Sequence, residues 1–263
     1  MSSRRIFAIV IRHLYIWPRS LERVMWSFGW PFLDIVIWGL TMSYFQKSSS
    51  SSFSIINVIL GGLIFWTVIW RTQNEMAVSL LDEAWNKNLI NIFSTPLQPV
   101  EFLIAIIILN FIKLSLTILA LTSASWIFYQ FNIISSFGFY IPFLLLNLLM
   151  IGWSFGLFVL GLVLRFGYTV QELAWAMVVF IQPFSCVFYP LSALPVWAQK
   201  IALVIPSSYV FEEMRRVLYT NTVNWTNLLL SFLLNLIYLI LSLWFFYLMF
   251  EKAREHGRLV KLN

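Results

Sequence analysis

Residues 102–128 read FLIAIIILNFIKLSLTILALTSASWIF, and Lys113 is the only charged residue among them. A helix needs roughly 20 apolar residues to cross the ~30 Å hydrocarbon layer of a membrane, and this stretch is longer than that. The whole chain has the same character, because 60% of its residues are apolar, 11% are charged and the mean hydropathy is +0.84. Soluble domains carry charge at about a quarter of their positions. The sequence therefore predicts an integral membrane protein.

Five further stretches are apolar and long enough to cross, so six membrane-spanning helices are expected in total. The predicted spans cover, approximately, residues 24–45, 55–70, 102–128, 139–164, 173–188 and 226–250. The predicted fold class is an all-α, polytopic membrane protein that forms a single transmembrane domain over residues 1–263.

The basic residues are distributed unequally between the two sides of this arrangement. Twelve of the 17 Lys and Arg residues fall on the side that the two termini share, four fall on the other side, and Lys113 lies within a span. By the positive-inside rule, both termini are expected in the cytoplasm. The net charge of +6 then reflects topology and requires no nucleic acid. We expect a multi-pass protein of the cytoplasmic (inner) membrane of a prokaryote.

The first 23 residues predict a separate amphipathic helix. Apolar side chains share one face of this leader, while Arg5, Arg12 and Arg19 recur at seven-residue steps on another face. This separation is typical of a helix that lies in the membrane interface, and Pro18 is expected to break or bend it. The alternative is a solvated basic leader in front of the first span.

A second amphipathic helix is predicted between the second and third spans, over residues 80–93. Its apolar stripe contains Leu81, Trp85 and Leu89, and polar side chains occupy the other faces. Pro96 ends it, because the residue before a proline disfavours helical geometry. Such a helix outside the bilayer needs a partner for its exposed face, unless it only packs beneath the bundle.

The stretch 189–225 before the last span is divided by prolines into segments too short to cross the membrane. Irregular backbone at membrane depth is tolerated only where protein or water surrounds it. We therefore expect re-entrant helices that cover the exit of a pathway on the outer side. The candidate outer-gate residues are Tyr189, Pro190, Pro195 and Pro206.

Charged residues in the same stretch predict a short solvated helix. Glu212 and Glu213 precede Arg215 and Arg216 by three or four positions. Ion pairs at this spacing stabilise a helix by a few tenths of a kcal/mol each. We expect these pairs to hold the helix at the surface.

Two ionisable residues, Asp34 and Lys113, fall within predicted spans. An intramembrane charge is costly to bury and usually has a partner or a function. One hypothesis is a structural pair between Asp34 and Lys113, and the other is that both residues line a hydrated path. The second hypothesis supports an alternative function, a self-sufficient secondary carrier or channel that uses these two residues.

The fourth predicted span contains Gly152 and Gly156 in a G-x-x-x-G pattern. Small residues at this spacing let another helix approach the backbone closely. We expect a packing face within the chain, with dimerisation as the weaker alternative.

The sequence contains no motif of a self-contained enzyme. No G-x-x-x-x-G-K-[ST] phosphate-binding loop, H-E-x-x-H zinc motif or G-x-S-x-G nucleophile motif is present. The two histidines, His13 and His256, are far apart in the sequence. The chain is therefore not expected to be an enzyme, and no catalytic, cofactor-binding or metal-binding residue is predicted in it.

Two stretches resemble the membrane-spanning subunits of type-2 ABC exporters, the ABC-2 type transporter family. Residues 88–102, NLINIFSTPLQPVEF, are similar to the coupling-helix segment of that family. Residues 188–197, FYPLSALPVW, followed by IPSSY at 205–209, are similar to its signature after the fifth span. The order of leader, spans, cytoplasmic helix and outer loop agrees over essentially the whole chain.

This resemblance implies the permease subunit of an ATP-driven exporter. Two copies of the chain would form the pathway among membrane lipids, and two separate cytoplasmic ATPase subunits would hold ATP and Mg. The cargo would be a lipid, a drug-like molecule or a lipid-linked glycan. Residues 80–96, the coupling segment, would contact the ATPase, with a secondary contact at residues 165–172. The coupling residues implied are Glu83, Lys87 and Asn88 as polar contacts and Leu89, Phe93 and Pro96 in the ATPase groove. A structural membrane scaffold is a third hypothesis, but it does not explain the proline-divided outer loop.

Overall fold

The computed structural model describes residues 2–48, 55–85 and 95–255, and every regular element in these ranges is helical. The all-α prediction is therefore confirmed for this part of the chain. The helices are α1 (Ser3–Ile16), α2 (Leu21–Val24), α3 (Trp30–Ser48), α4 (Ile55–Trp85), α5 (Pro99–Tyr129), α6 (Ile133–Phe137), α7 (Ile141–Phe166), α8 (Gln171–Ile181), α9 (Val196–Ala202), α10 (Pro206–Thr220) and α11 (Trp225–Glu255).

Five helical stretches in the described ranges are long and apolar enough to cross a membrane. They are Leu21–Lys47, Ile55–Glu83, Val100–Tyr129, Ile133–Phe166 and Trp225–Ala253. The first is one continuous helical path, because a π-helical turn at Met25–Gly29 joins α2 to α3. These stretches coincide with five of the predicted spans, so the chain is a multi-pass membrane protein.

The predicted fifth span, residues 173–188, is wrong as a continuous helix. Helix α8 has 11 residues and ends at Ile181, which gives it a length of about 16 Å. A 3₁₀ turn follows at Gln182–Phe184. Pro183 within it has no N–H to donate to an α-helical hydrogen bond, so the α-helix does not continue. Cys186 then adopts a positive φ of 56°, which ends any helical path. The chain therefore continues from α8 through irregular backbone.

Helix α4 is longer than the predicted second span, which ended at residue 70. It runs unbroken for 31 residues from Ile55 to Trp85, so residues 80–85 continue α4 and do not begin a separate helix. Residues 71–74 are polar, and the predicted second span ends before them. These four side chains are nevertheless buried against neighbouring helices, which explains the continuation. Residues 86–93 of the predicted amphipathic helix lie outside the described residues.

Helix α7 is central, and it packs along both α4 and α11. Its two glycines face α4 closely. A Cβ atom added at Gly152 would lie 2.7 Å from Thr72 Cβ, and one at Gly156 would lie 2.8 Å from Met76 Cβ. The expected packing face within the chain is confirmed.

The leader and the end of α11 lie at the same end of the bundle. The backbone N–H of Ser2 donates to Glu101 at the start of α5. Ala253, near the end of α11, is buried in the same apolar cluster as Leu81 and Phe102. At the opposite end, Gly61 near the start of α4 approaches Phe137.

Candidate coupling region and buried charge cluster

Helix α1 is packed against the bundle. It contacts α5 along its length, and Val10, His13 and Trp17 are buried. The chain leaves α1 through a 3₁₀ turn at Trp17–Arg19 that contains Pro18, so the predicted break is confirmed. The alternative of a solvated leader is wrong, because these buried side chains hold α1 on the protein.

Glu83, one of the predicted coupling residues, is bound by α1. Arg12 Nη2 donates to Glu83 Oε2 at 2.8 Å, and His13 Nε2 lies 3.3 Å from Glu83 Oε1. Only 2% of Glu83 is exposed. Glu83 therefore lies inside the joint between α1 and α4 and presents no exposed carboxylate to a partner.

Helix α1 also binds the C-terminal end of the coupling segment, at Pro96. Arg5 donates through Nη1 to the carbonyl oxygen of Pro96. Glu101 accepts the Ser2 N–H at 2.7 Å and the Gln98 N–H at 3.0 Å, and the second bond is half of a capping box that starts α5. Helix α1 thus contacts the coupling segment at both Glu83 and Pro96.

Four of the six predicted coupling residues fall in residues 86–94, which the structure does not describe. Lys87, Asn88, Leu89 and Phe93 are outside the described residues, and their roles remain predictions. The two described coupling residues, Glu83 and Pro96, each contact α1, the first through Arg12 and the second through Arg5.

The leader makes a further contact to α4 just beyond α1. Arg23 Nη2 lies 3.0 Å from Asp82 Oδ2, and Asp82 immediately precedes Glu83. Ser20 caps α2 by accepting the Arg23 N–H at 3.5 Å. The last turns of α4 are therefore tied to the leader at two neighbouring carboxylates.

A buried charge cluster lies beside this joint. Lys113 Nζ on α5 is 2.5 Å from Glu75 Oε1 on α4, and Arg71 Nη2 is 4.0 Å from Glu75 Oε2. The side chains of all three residues are about nine-tenths buried. Lys113 Nζ also lies 5.5 Å from the centre of the Trp17 ring, a cation–π distance. The cluster joins α4, α5 and the leader.

The hypothesis of an Asp34–Lys113 pair is wrong. Lys113 pairs with Glu75, and Asp34 has an exposed side chain on α3. Sequence analysis missed Glu75 because the second span was ended at Arg71. The signal that could have identified Glu75 is the i,i+4 spacing of Arg71 and Glu75 on a continuing helix.

Ser27 connects the first span to the cluster from within the π-helical turn. Its Oγ accepts hydrogen bonds from Trp17 Nε1 at 2.9 Å and from Arg71 Nη2 at 3.1 Å. Its carbonyl oxygen accepts from Thr117 Oγ1 at 3.3 Å. Four segments of the chain therefore meet at one fully buried serine.

The stretch at residues 189–225 contains two short helices, as its prolines predict. Helix α9 begins directly after Pro195, and α10 begins at Pro206. Tyr189 Oη donates to the Pro183 carbonyl at 2.5 Å, and Pro190 precedes a 3₁₀ turn at Leu191–Ala193. The role of these residues as an outer gate remains a prediction.

The expected ion pairs of α10 form, but the helix is not solvated. Glu212 lies 2.8 Å from Arg215, and Glu213 lies 3.3 Å from Arg216. Glu213 and Arg215 are buried, because α10 packs on α11 and α7. Arg215 also donates to the carbonyl of Cys186 at 2.6 Å, which anchors the turn after α8.

Among the described residues, no group of three His, Cys, Asp or Glu side chains could hold a metal ion. No curated protein matches the chain at a significant level. The sequence model of the ABC-2 type transporter family matches residues 4–219, which run from α1 through nearly all of α10. Since this match covers most of the 263 residues, the chain belongs to the ABC-2 type transporter family.

Proposed function

We propose that the chain is the permease subunit of an ATP-driven exporter. ABC-2 permeases are transmembrane components that generally work with an ATPase subunit and are not themselves catalytic. The chain has no phosphate-binding loop of its own. Two copies would form the pathway, and two ATP-binding-cassette subunits with ATP and Mg would dock on the side of the coupling segment. Both termini would then lie in the cytoplasm of a prokaryotic cell.

The main observation in support of this proposal is that α1 binds the coupling segment at two positions, Glu83 and Pro96. Arg12 binds Glu83 near the start of the coupling segment, and Arg5 binds the Pro96 carbonyl at its end. A segment that receives force must be anchored at both ends, since a free loop would deform and transmit nothing. The Arg12–Glu83 ion pair and the Arg5 hydrogen bond to Pro96 supply this anchoring.

Helix α4 would transmit the force from the ATPase subunit through the membrane. It is one unbroken helix of 31 residues, and it runs from the coupling segment to the opposite end of the bundle. It contacts α7 at Gly152 and Gly156 with almost no intervening side chain, and it contacts α5 through the Glu75–Lys113 pair. A push on the end of α4 would therefore move α4, α5 and α7 together, as in rigid-body switching between two packings.

The first span offers the surface for a second copy. Only 17% of its most apolar window is buried within the chain, against 72% for the span on α4. Its exposed side chains include Ile37, Leu40 and Tyr44, at 57%, 62% and 69% exposure. A pathway between two copies would bring this face toward the partner subunit and the cargo.

The alternative of a secondary carrier loses its main support. That alternative used Asp34 and Lys113 as its coupling or selectivity residues, but Lys113 is bound to Glu75 and Asp34 is exposed on α3. No other arrangement among the described residues favours it.

The proposed function is tested by affinity purification of the tagged chain from its native membranes. We expect an ATP-binding-cassette subunit to co-purify in equal amount, with ATP hydrolysis in the complex. The variant Arg12→Glu should retain less of that subunit and hydrolyse ATP more slowly. The matched control is Arg216→Glu, which reverses the charge of an arginine on α10 at the other end of the bundle. It should change neither the amount of co-purified ATPase subunit nor the rate of ATP hydrolysis. Transport by the purified chain without any nucleotide-binding subunit would contradict the proposal.

A further inference from the structure

The π-helical turn at Met25–Gly29 interrupts the first span. Within it, the N–H of Trp30 donates to the carbonyl oxygen five residues earlier. In an α-helix, the carbonyl of Ser27 would accept the N–H of residue 31, but Pro31 has no N–H. Thr117 Oγ1 on α5 donates to this carbonyl instead, at 3.3 Å. Sharp bends in helices occur at prolines and at π-helical turns, and both features are present here. The main chain between the leader and α3 therefore lacks a bond that would resist bending.

The chain before this turn is fixed to the bundle. Arg12 lies 2.8 Å from Glu83, and Arg23 lies 3.0 Å from Asp82. Trp17, between the two arginines in the sequence, is buried. These contacts join the leader to the end of α4.

The chain after the turn is held on one side only. Helix α3 lies against α4 and α5, and Ile35 is buried there, whereas Ile37 and Leu40 are exposed on another face. Only 17% of the most apolar window of the first span is buried within the chain. Near the middle of α3, Tyr129 Oη on α5 donates to the Val36 carbonyl at 3.0 Å. A tilt of α3 would therefore uncover little apolar surface that the chain now buries.

Ser27 holds the turn in its observed geometry. Its Oγ accepts hydrogen bonds from Trp17 Nε1 at 2.9 Å and from Arg71 Nη2 at 3.1 Å. Together with the bond from Thr117 to its carbonyl, these bonds tie one residue to the leader, α4 and α5. We propose that Met25–Gly29 is a hinge, the first-span hinge, about which α3 swings while the leader stays on α4. Ser27 clamps this hinge in the observed position.

A small bend at the first-span hinge moves the far end of α3 a long way. Helix α3 has 19 residues and is about 28 Å long, so a bend of about 20° displaces its far end by about 10 Å. Its exposed face is the surface proposed above for a second copy, so the swing would change the width of a pathway between two copies. That consequence rests on the proposed function. The swing itself is measured within one chain and without nucleotide, so either proposal can fail alone.

Distances between two spin labels on one chain test the hinge, by double electron–electron resonance. The first pair is Tyr44→Cys on α3 with Trp244→Cys on α11, and the control pair is Tyr15→Cys on α1 with Trp244→Cys. All three side chains are exposed, and Cys186→Ala removes the native cysteine. Helix α11 is the reference because it packs along the central helix α7. The labelled full chain is reconstituted in lipid bilayers with an excess of unlabelled chain, so that labels on a second copy do not contribute.

Two substitutions should change the hinge in opposite directions. Ser27→Ala removes the hydroxyl that clamps the turn, and it should broaden or shift the distance distribution between positions 44 and 244 by about 5–10 Å. Adding Pro31→Ala to this variant supplies the missing N–H and should narrow the distribution again. The distribution between positions 15 and 244 should stay unchanged. The matched control is Ser154→Ala, which removes a buried hydroxyl that bonds the Met150 carbonyl in its own helix, and it should change neither distribution.

A second variant, Thr117→Val, tests the hinge even if Ser27→Ala does not fold. It removes the hydroxyl that donates to the Ser27 carbonyl and should also broaden the distribution between positions 44 and 244. An unchanged distribution in Ser27→Ala and in Thr117→Val would overturn the proposal, as would failure of Pro31→Ala to narrow it. Equal broadening of both label pairs would overturn it too, because the leader would then move with α3.

Discussion

Arg12 of α1 donates a 2.8 Å hydrogen bond to Glu83 at the end of α4, across 71 positions of sequence. Glu83 is almost fully buried, whereas 40% of the Arg12 side chain is exposed. The bond fixes the leader to the helix that enters the coupling segment. The leader is therefore fixed to the end of α4 that we propose contacts the ATPase subunit.

Loss of Arg12 should destabilise the protein, because it leaves the Glu83 carboxylate buried without its main partner. The variant Arg12→Ala is expected to lower the free energy of unfolding by about 1–2 kcal/mol, less than for a fully buried pair because Arg12 is partly solvated. Thermal unfolding in detergent measures this loss. The double variant Arg12→Ala with Glu83→Gln should recover part of it, and no recovery would argue against the pair.

The Glu75–Lys113 pair should behave as a buried ion pair. Removing one charge with Lys113→Met is expected to cost about 3 kcal/mol, because buried Glu75 then loses its nearest cation and keeps Arg71 at 4.0 Å. Replacing both residues, with Glu75→Gln and Lys113→Met, should restore most of that stability. The control is Asp34→Asn, which should change stability by less than about 0.5 kcal/mol because Asp34 is exposed and is not the partner of Lys113. A larger effect of Asp34→Asn than of Lys113→Met would reverse the assignment.

The close approach of α4 and α7 predicts opposite effects at two glycines. Gly152→Ala places a methyl group 2.7 Å from Thr72 Cβ, so it should destabilise the protein by about 1–3 kcal/mol. Gly61→Ala meets only ordinary contacts, the nearest at 3.5 Å, and should stabilise α4 by about 0.5–1 kcal/mol through helix propensity. Unfolding temperatures of the two variants check the difference, and equal effects would contradict the packing.

Cys186 should resist thiol reagents in the folded protein. Burial raises the pKa of its thiol to about 11, with a contribution from Glu212. Because the thiolate is the reactive form, maleimide labelling should be negligible near pH 7 and should accelerate only as the pH approaches 11. Labelling in denaturant is the control. Rapid labelling of the folded protein at pH 7 would show that the turn after α8 is open.

Sequence alone predicts the features that depend on a single short stretch of residues, such as an apolar run or a proline. The apolar stretch around Lys113, the break at Pro18 and the helix starts at Pro195 and Pro206 follow from chain length in a bilayer and from proline geometry. The continuation of α4 beyond residue 70 does not follow, because its polar residues are buried only by helices that are distant in the sequence. Glu75 was missed for the same reason. The early end of α8 could have been predicted from Pro183, which lies inside an otherwise apolar stretch.

The central claim is that the coupling segment contacts an ATP-binding-cassette subunit. Its most direct test replaces Phe93 with photoreactive benzoylphenylalanine in the complex purified from native membranes. The control position is Phe139, which is 72% exposed beside the start of α7 at the opposite end of the bundle. We expect illumination to join the chain to the ATPase subunit from position 93 and not from position 139. An intact complex that gives no adduct from position 93, or gives equal adducts from both positions, would contradict the claim.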